Sequence, residues 1–599
     1  MNAVIYTKLI LILFSSNFLY INNATLWNYQ LKFTCERFYK KGELKIDCSH
    51  KNLTHIPDLP SDTVYLNLQH NLIIRIPNNT FKHMTNLKVL DLSFNKLQSM
   101  NDQSFSGLRN LMKLDLNNNM IRGGMSNKVF GSMKCLTDLD LSHNGLTRIN
   151  EKTFVGLQNL QILHLNNNKL QYNISRFPTG SFKPLGSLTR LSIQNNNFSP
   201  QIYNSIIFPD KTISDLTMLE ILELDVSTGF SDRAVLGNGF SYLKYLYSLN
   251  ACNCQTFILE SDTFKNTPNL TQVYFNHCSP RVYSEKHEEF SKLMKLKVLQ
   301  LNGWLSYTPD LDEDELLALI SGLSNTTIRI LKMHYLFNSF YSVPLSNILN
   351  NISVVLNKTP IQELHFTNNL NVHFNELDMT VKVPPSLRTL NISDNSLEAL
   401  KLNIKQVTSL HLEDNRLGNY LANNSLWIQN SKLEYVNLSN NSIYKLHTSI
   451  FIGQKYLRVI ELRFNILMDS NFDMSSLVNL HILDLKNNKI KYLSDQSRME
   501  LDKVFKNNGN AKIDLSNNPL QCSCFTLPFL NWMRLSQTHF INYTQFRCTF
   551  ENGSFSKPNS FEEVLLNLQR DCTNHLVFDN KRVIFCFGFY SSIISSSYL

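Results

Sequence analysis

Residues 87–95 read Leu-Lys-Val-Leu-Asp-Leu-Ser-Phe-Asn, and this pattern recurs along the chain. Residues 111–119 repeat it as Leu-Met-Lys-Leu-Asp-Leu-Asn-Asn-Asn. The closing asparagines follow at steps of 24, 24, 25, 24 and 28 residues and are Asn71, Asn95, Asn119, Asn144, Asn168 and Asn196. Such a period holds one short strand and a return segment, and one turn of that size cannot bury its own apolar side. We therefore expect successive turns to stack and their leucines to fill a continuous core.

The pattern returns after a gap in which its asparagine is missing. The second block comprises Asn369, Asn395, Asn415, Asn441, Asn465, Asn488 and Asn518. Between the blocks the strand positions persist, but the Asn position is taken by Ser227, Cys254, Cys278, Trp304 and Leu336. An amide can both donate to and accept from main-chain groups of adjacent turns; a thiol makes weaker hydrogen bonds, and Trp and Leu cannot replace the amide. We count about 18 units and expect altered curvature in the middle third.

The repeat predicts an α/β architecture of the leucine-rich-repeat class. We expect a right-handed horseshoe solenoid with a parallel concave sheet and one strand of three to five residues per unit, each about 24 residues long. An open solenoid exposes its core at both ends, so each end needs a cap. The expected organisation is a signal peptide at 1–22, an N-terminal cap at 23–60, repeats at 61–519 with an irregular part at about 200–360, a cysteine-rich cap at 520–572 and a tail at 573–599.

The N-terminus and the sequons indicate an extracellular protein. Lys8 and the apolar stretch 9–14 resemble a secretory signal peptide, and this stretch is too short for a membrane span. The charge of +9 is spread without a dense basic run, which favours an ordinary solvated surface over a phosphate-binding stripe. The predicted N-glycosylation sites are Asn23, Asn52, Asn78, Asn173, Asn197, Asn269, Asn325, Asn351, Asn357, Asn391, Asn423, Asn437, Asn440, Asn542 and Asn552.

Cysteines cluster at the two predicted caps. Cys35 and Cys48 precede the first strand, and the other end carries Cys522, Cys524, Cys548 and Cys572. Zinc is the alternative for such Cys-x-Cys spacing, but a secreted context favours disulfides. Four cysteines permit three connectivities, and their spacing does not choose among them.

Taken together, these motifs resemble a Toll-like receptor ectodomain. They are the two-cysteine N-terminal cap, the return-turn phenylalanines Phe81, Phe105, Phe130 and Phe154, and the Asn-Pro-Leu-x-Cys-x-Cys motif at 518–524. The resemblance covers residues 30–572. It implies pairing of Cys522 with Cys548 and of Cys524 with Cys572, recognition of a microbial ligand, and a homo- or heterodimer with another such ectodomain. The Asn-poor middle third resembles the subgroup that recognises lipopeptides or lipopolysaccharide rather than nucleic acid.

The chain departs from this family after Cys572. Only residues 573–599 follow, where the family continues into a membrane helix and a signalling domain. We expect a truncated or alternatively spliced form, or a soluble receptor, with a lipid anchor as the weaker alternative. Such a chain is expected to be extracellular, to be tied to the plasma membrane only as a longer isoform, and not to signal alone.

Catalytic and metal-binding motifs are not evident. No nucleophile elbow, phosphate loop or His-Glu-x-x-His is present, so neither an enzyme nor a cofactor is expected. The acidic residues at 310–315 fit a helix N-terminus better than a calcium site. For Cys252, Cys254 and Cys278, a disulfide or buried thiols are favoured over a metal. The pairing of Cys135 stays open, and Cys586 is expected to be unpaired.

Apolar residues concentrate at 335–345, in the irregular region. The candidate ligand-binding residues are Leu336, Phe337, Phe340, Tyr341 and Val343. Ordinary core packing is the alternative interpretation. We expect an acylated ligand bound near 275–366, with little salt dependence, because apolar ligands need a concave, desolvated surface. Glycans on Asn391 and Asn437 would obstruct the concave face of the C-terminal third. The alternative function is a secreted adhesion or decoy protein that binds a host protein.

Overall fold

The computed structural model describes residues 35–196, 208–226, 236–254, 257–278, 280–282, 289–290, 292–303, 313–337, 343–369, 372–373, 380–425, 431–550, 553–557 and 561–579. The chain forms two compact units. The N-terminal unit comprises Met1–Cys254 with Thr263–Leu270, and the C-terminal unit comprises Gln255–Asp262 with Thr271–Leu599.

The N-terminal unit is a ladder of short strands. Its strands are β1 (Glu36–Lys40), β2 (Glu43–Asp47), β3 (Thr63–Asn67), β4 (Val89–Asp91), β5 (Lys113–Asp115), β6 (Arg122–Gly124), β7 (Asp138–Asp140), β8 (Gly145–Arg148), β9 (Ile162–His164), β10 (Arg190–Ser192), β11 (Ile221–Asp225) and β12 (Ser248–Cys252). It also holds helix α1 (Asp210–Ile213) and a 3-10 turn at Asn238–Tyr242. Strands β1 and β2 form an antiparallel hairpin. From β2 onward the strands β3, β4, β5, β7, β9, β10, β11 and β12 pair in parallel, and β6 pairs separately with β8.

The core of this unit is built by equivalent residues of successive turns. Leu66, Leu90 and Leu114 occupy matching positions in paired strands, and all three are fully buried. On the return side the ring of Phe105 stacks between those of Phe81 and Phe130, with centroid distances of 6.3 Å on both sides. The repeat period therefore sets both the strand layer and a column of aromatic rings, as the pattern predicts.

The asparagines form the predicted ladder of hydrogen bonds. Asn95 donates from Nδ2 to the carbonyl oxygens of Leu68 (2.9 Å) and Leu92 (3.1 Å), and its Oδ1 accepts from the N–H of Ile73 (3.0 Å). Each amide thus bonds to the main chain of its own turn and of the preceding one, which satisfies groups that would otherwise be buried without a partner. Equivalent bonds to the preceding turn are made by Asn71, Asn119, Asn144, Asn168, Asn196, Asn369, Asn395, Asn415, Asn441, Asn465, Asn488 and Asn518.

The C-terminal unit continues the same plan with more helices. Its strands are β13 (Phe257–Leu259), β14 (Gln272–Asn276), β15 (Pro280–Val282), β16 (Val298–Asn302), β17 (Ile330–His334), β18 (Val343–Pro344), β19 (Glu363–Thr367), β20 (Val372–His373), β21 (Val381–Lys382), β22 (Thr389–Asn391), β23 (Leu402–Asn403), β24 (Ser409–His411), β25 (Tyr435–Asn437), β26 (Val459–Glu461), β27 (Ile482–Asp484) and β28 (Lys512–Asp514). Its helices are α2 (Glu313–Ser321), α3 (Leu345–Val355), α4 (Gly418–Asn423), α5 (Asp495–Asn507), α6 (Leu527–Leu535) and α7 (Phe561–Asp579), with 3-10 turns at Gln537–His539 and Tyr543–Gln545.

The repeat strands of the C-terminal unit pair in parallel in the order β14, β16, β17, β19, β22, β24, β25, β26, β27 and β28. Small parallel pairs β13–β15, β18–β20 and β21–β23 lie outside this ladder. With the eight repeat strands from β3 to β12, the described part of the chain holds 18 repeat strands.

Strand length changes where the asparagines lapse. Strands β11, β12, β14, β16, β17 and β19 have five residues each, whereas every strand from β22 to β28 in the ladder has three. In β16 and β17 the added pairs are Leu301 with Met333 and Asn302 with His334. Strand β19 is also long although its unit carries Asn369, so the longer strands extend beyond the Asn-poor units. Of the replaced positions, Ser227 and Trp304 lie outside the described residues.

Disulfides close both predicted caps. Cys35 bonds to Cys48 across the β1–β2 hairpin. At the other end Cys522 bonds to Cys548 and Cys524 to Cys572, the pairing that the family resemblance implies. Helix α7 runs past the predicted cap boundary at 572, to Asp579. The fold is therefore a leucine-rich-repeat solenoid with disulfide-bonded caps, as predicted. Within the described ranges, every helix is too short or too polar to span a bilayer.

Candidate ligand-binding surface

The five-residue strands of the C-terminal unit create a broad polar surface. Side chains alternate along a strand, so β14, β16, β17 and β19 each bury two apolar residues and turn three others to the opposite side. We call these outward residues the central open face; they are Gln272, Tyr274, Asn276, Val298, Gln300, Asn302, Ile330, Lys332, His334, Glu363, His365 and Thr367. Most carry hydrogen-bonding groups, and most are half-buried. This face is therefore suited to a polar ligand or head group.

Two histidines of this face are held in the neutral form. Burial, with a smaller effect of His365 and Lys332, lowers the pKa of His334 to about 4, and its Nδ1 lies 2.5 Å from the Thr367 hydroxyl. Burial also lowers the pKa of His365, although Glu363, 3.4 Å away, opposes the shift. At neutral pH both imidazoles thus offer one donor and one acceptor rather than a fixed charge.

The amide side chains of the face are ordered by each other. Gln300 donates from Nε2 to Asn276 Oδ1 at 2.9 Å, and Asn302 donates to the same oxygen at 3.4 Å. The hydroxyl of Tyr274 donates to Gln272 Oε1 at 3.2 Å. Side chains restrained in this way lose less conformational entropy when a ligand binds.

Two of the apolar residues predicted to bind a ligand are buried and do not lie on this open surface. Leu336 and Phe337 are each only 2% exposed, and their N–H groups donate to Asn369 Oδ1 at 2.8 and 3.2 Å. The ring of Phe337 packs on that of Phe366, with 5.9 Å between the ring centroids. These positions are those expected from core packing. Phe340, Tyr341 and the side chain of Val343 lie outside the described residues, so the grouping of the five candidates stays a prediction.

The cysteines of the irregular region divide into two kinds. Cys254 and Cys278, which replace ladder asparagines, are both disulfide-bonded. Cys252 is a buried free thiol that donates to Gln194 Oε1 at 2.7 Å, and burial together with Asp225 raises its thiol pKa strongly. Cys135 is free and exposed, and Cys586 lies outside the described residues. In the part of the chain that the structure describes, His, Cys, Asp and Glu side chains form no group of three able to hold a metal ion.

The acidic stretch at 310–315 begins a helix, as predicted. Glu313, Asp314 and Glu315 form the first turn of α2, where carboxylates favour the positive end of the helix dipole. Asp310 and Asp312 lie outside the described residues. Asn351 of α3 donates to Glu313 Oε1 at 3.2 Å, which links the two helices.

A row of carboxylates in the N-terminal unit was not predicted from the sequence. Asp91, Asp115 and Asp140 occupy matching positions on β4, β5 and β7. Burial, with a smaller effect of Asp140 and Asp91, raises the pKa of Asp115 to about 7. The sequence contains these residues in a recurrent Leu-Asp-Leu triplet, which could have indicated the row. Only the parallel register of the strands makes the three carboxylates neighbours.

The predicted glycosylation sites differ in exposure. Among the described sites, the exposed ones are Asn52, Asn78, Asn173, Asn325, Asn351, Asn357, Asn423, Asn440 and Asn542. Asn269 and Asn391 are half-buried. Asn437 is only 7% exposed, and its Oδ1 accepts from the N–H of Ser439 at 3.0 Å. Asn23, Asn197 and Asn552 lie outside the described residues.

The class of protein also emerges from sequence comparison. Residues 63–121, 123–170 and 136–198 match the leucine rich repeat family. The match lies in the N-terminal repeats, and the observed ladder of strands shows a leucine-rich-repeat fold.

Similarity to individual proteins is local. Leucine-rich repeat-containing protein 3 of Mus musculus is 43% identical over 60 residues, which is 10% of this chain and 23% of that protein. Toll-like receptor 3 of Mus musculus is 47% identical over 55 residues, which is 9% of this chain and 6% of the receptor. The chain thus matches less than a quarter of the length of either relative. A crystal structure of the mouse RP105/MD-1 complex superposes with a TM-score of 0.45 and 18% identity, over 83% of this chain and 94% of that chain.

Proposed function

We propose that this protein is a non-catalytic, extracellular recognition ectodomain of the Toll-like receptor type. In this proposal it binds a microbial ligand through the central open face and pairs with a second ectodomain, either another copy or a related chain. The observation that carries the proposal is the face itself, a set of restrained hydrogen-bonding side chains where the asparagine ladder lapses. The disulfide-bonded caps and the 55-residue similarity to Toll-like receptor 3 support the choice of class.

The proposed ligand combines a polar head group with acyl chains. The head group would exchange hydrogen bonds with Gln300, His334 and His365. The turn directly after β17 carries Leu336 and Phe337 in place of a polar ladder residue. An acyl chain would enter there by displacing their side chains, and each methylene buried contributes about 0.8 kcal/mol. Ligand affinity would therefore be dominated by the acyl part and would change little with salt.

Binding measurements at low and high salt test the ligand class. We expect an immobilised synthetic lipopeptide to bind the purified protein equally well at both salt concentrations. Double-stranded RNA is the comparison ligand, because exchange of phosphate counterions makes its binding fall steeply with salt. Salt-sensitive RNA binding without lipopeptide binding would refute the acylated ligand. Binding of a host surface protein alone would favour an adhesion or decoy function.

A pair of core substitutions tests the position of the acyl site. Phe337→Leu shrinks the side chain at the proposed entry turn, whereas Phe451→Leu makes the same change in a buried ring that packs on Phe472 at 5.2 Å. Both variants are expected to lose comparable stability. Only Phe337→Leu is expected to change lipopeptide affinity. Equal lipopeptide affinities for the two variants would show that the acyl site lies elsewhere.

Sedimentation of the protein with and without lipopeptide tests the proposed pairing of two ectodomains.

A further inference from the structure

A second candidate site lies in the C-terminal unit, between its last repeats and the C-terminal cap. A cavity of about 880 Å³ is lined by side chains that include Lys489 from the turn after β27, Asn517 from the turn after β28, and Gln545, Arg547 and Phe555 from the cap. Cavities of this size accommodate a small-molecule ligand. Two ladder asparagines, the start of the 518–524 motif and a predicted glycosylation site line it, but no sequence motif predicts a cavity there, because its walls come from segments far apart in the chain.

Within the described residues, the cationic side chains of this cavity have no acidic partner. Lys489 and Arg547 both line it, and both are exposed. Among the described lining residues there is no Asp or Glu, and no salt bridge within the described residues involves either cation. Two cations that face one concave space without an acidic partner raise the local concentration of anions. The guanidinium of Arg547 can also bind an oxyanion through two parallel hydrogen bonds.

The remaining lining groups are suited to hydroxyls and to an apolar ring face. The side chains of Asn517 and Gln545 are exposed, and amides both donate and accept. Phe555 is 69% exposed although it is a large apolar residue, so a ligand could bury its ring. We propose that this cavity binds a small sulfated oligosaccharide, with Lys489 and Arg547 on the sulfates, the amides on the hydroxyls and Phe555 against a sugar ring.

A single-stranded nucleic acid would also use cations and aromatic stacking. It needs a charged groove that follows its backbone, whereas the two cations here are confined to one cavity. The cavity therefore favours a compact anionic ligand. Asn542, a predicted glycosylation site, also lines the cavity, so its own glycan would share this space.

Binding of a heparin-derived tetrasaccharide, measured by calorimetry, tests the proposal. We expect the protein to bind the tetrasaccharide but not its desulfated form. The Asn542→Gln variant, which cannot carry the glycan, is measured in the same way. Lys489→Ala and Arg547→Ala are each expected to weaken binding about tenfold, the size of one charge-assisted hydrogen bond. Lys491→Ala is the matched control, because Lys491 is exposed in the same repeat but does not line the cavity. Circular dichroism checks that all variants are folded.

Three results would overturn the site. Absence of tetrasaccharide binding by both the unmodified protein and Asn542→Gln excludes it. An equal loss in Lys491→Ala would show that general surface charge binds the anion. Tighter binding of a thymidine oligonucleotide, lost in the same variants, would assign the cavity to nucleic acid. Lipopeptide binding is expected to be unchanged in the cavity variants, so failure here leaves the proposed function separately testable.

Discussion

Replacing Asp115 by asparagine is expected to stabilise the protein above neutral pH. Asp115 lies on β5 between Asp91 and Asp140, and burial with these neighbours raises its pKa from 3.8 to about 7. Its Oδ1 accepts from the N–H of Asn117 at 3.0 Å. An amide oxygen can keep this bond, as Asn67 does in the equivalent position of β3 by accepting from the N–H of Gln69 at 3.0 Å.

The magnitude and sign follow from linkage. Because the folded-state pKa is raised, the contribution of this carboxyl is fully favourable below pH 3.8 and is lost as pH rises through about 7. A shift of this size sets an upper bound of about 4 kcal/mol on the cost of ionising Asp115 in the folded state. Solvent screening at this partly exposed site reduces the expected cost to about 1–2 kcal/mol. Asp115→Asn removes that cost at pH 8 and removes little at pH 4.

Urea denaturation at pH 8, 6 and 4.5, followed by circular dichroism, measures the effect. The gain in unfolding free energy is expected to be largest at pH 8 and to shrink at each lower pH. Asp47→Asn is the matched control, because Asp47 makes the same bond to the N–H of Ser49 at 2.9 Å but pairs with the uncharged Asn67 on one side and with the exposed Glu36 on the other. A gain that is independent of pH, or equal in the control, would refute the explanation by carboxylate burial.

Four further outcomes are expected. Asn441→Ala removes the bond to the Leu412 carbonyl (2.8 Å) and is expected to cost about 1–3 kcal/mol in urea denaturation. Phe105→Ala empties the centre of the ring column and is expected to cost about 3–5 kcal/mol. The folded-state pKa of His334 is lowered, so its contribution to stability is complete above pH 6.5 and is lost as pH falls towards 4. His334→Gln is therefore expected to reduce the change in unfolding free energy between these two pH values. Peptide mapping after deglycosylation in heavy-oxygen water is expected to find Asn437 unmodified, because it is buried, and a labelled Asn437 would contradict this.

The family resemblance, rather than spacing, anticipated the disulfides of the C-terminal cap. Spacing allowed three connectivities, and the folded cap selects Cys522–Cys548 and Cys524–Cys572. The ligand-binding role of the apolar run at 335–345 stays a prediction. The run contains Leu336 and Phe337, which are buried, and the same run would serve a core or a pocket equally well.

The sequence by itself determined the repeat period, the strand positions, the buried leucines and phenylalanines, and the asparagine ladder. Each of these depends on residues that recur at a near-constant interval, so their neighbours in the folded chain can be read from the period. Only the tertiary structure decided how solvent and charge act at particular side chains. The raised pKa of Asp115, the neutral His334 and the cavity between Lys489 and Arg547 arise from burial and from neighbours distant in sequence. A periodic pattern does not encode desolvation, because desolvation depends on everything packed around a group.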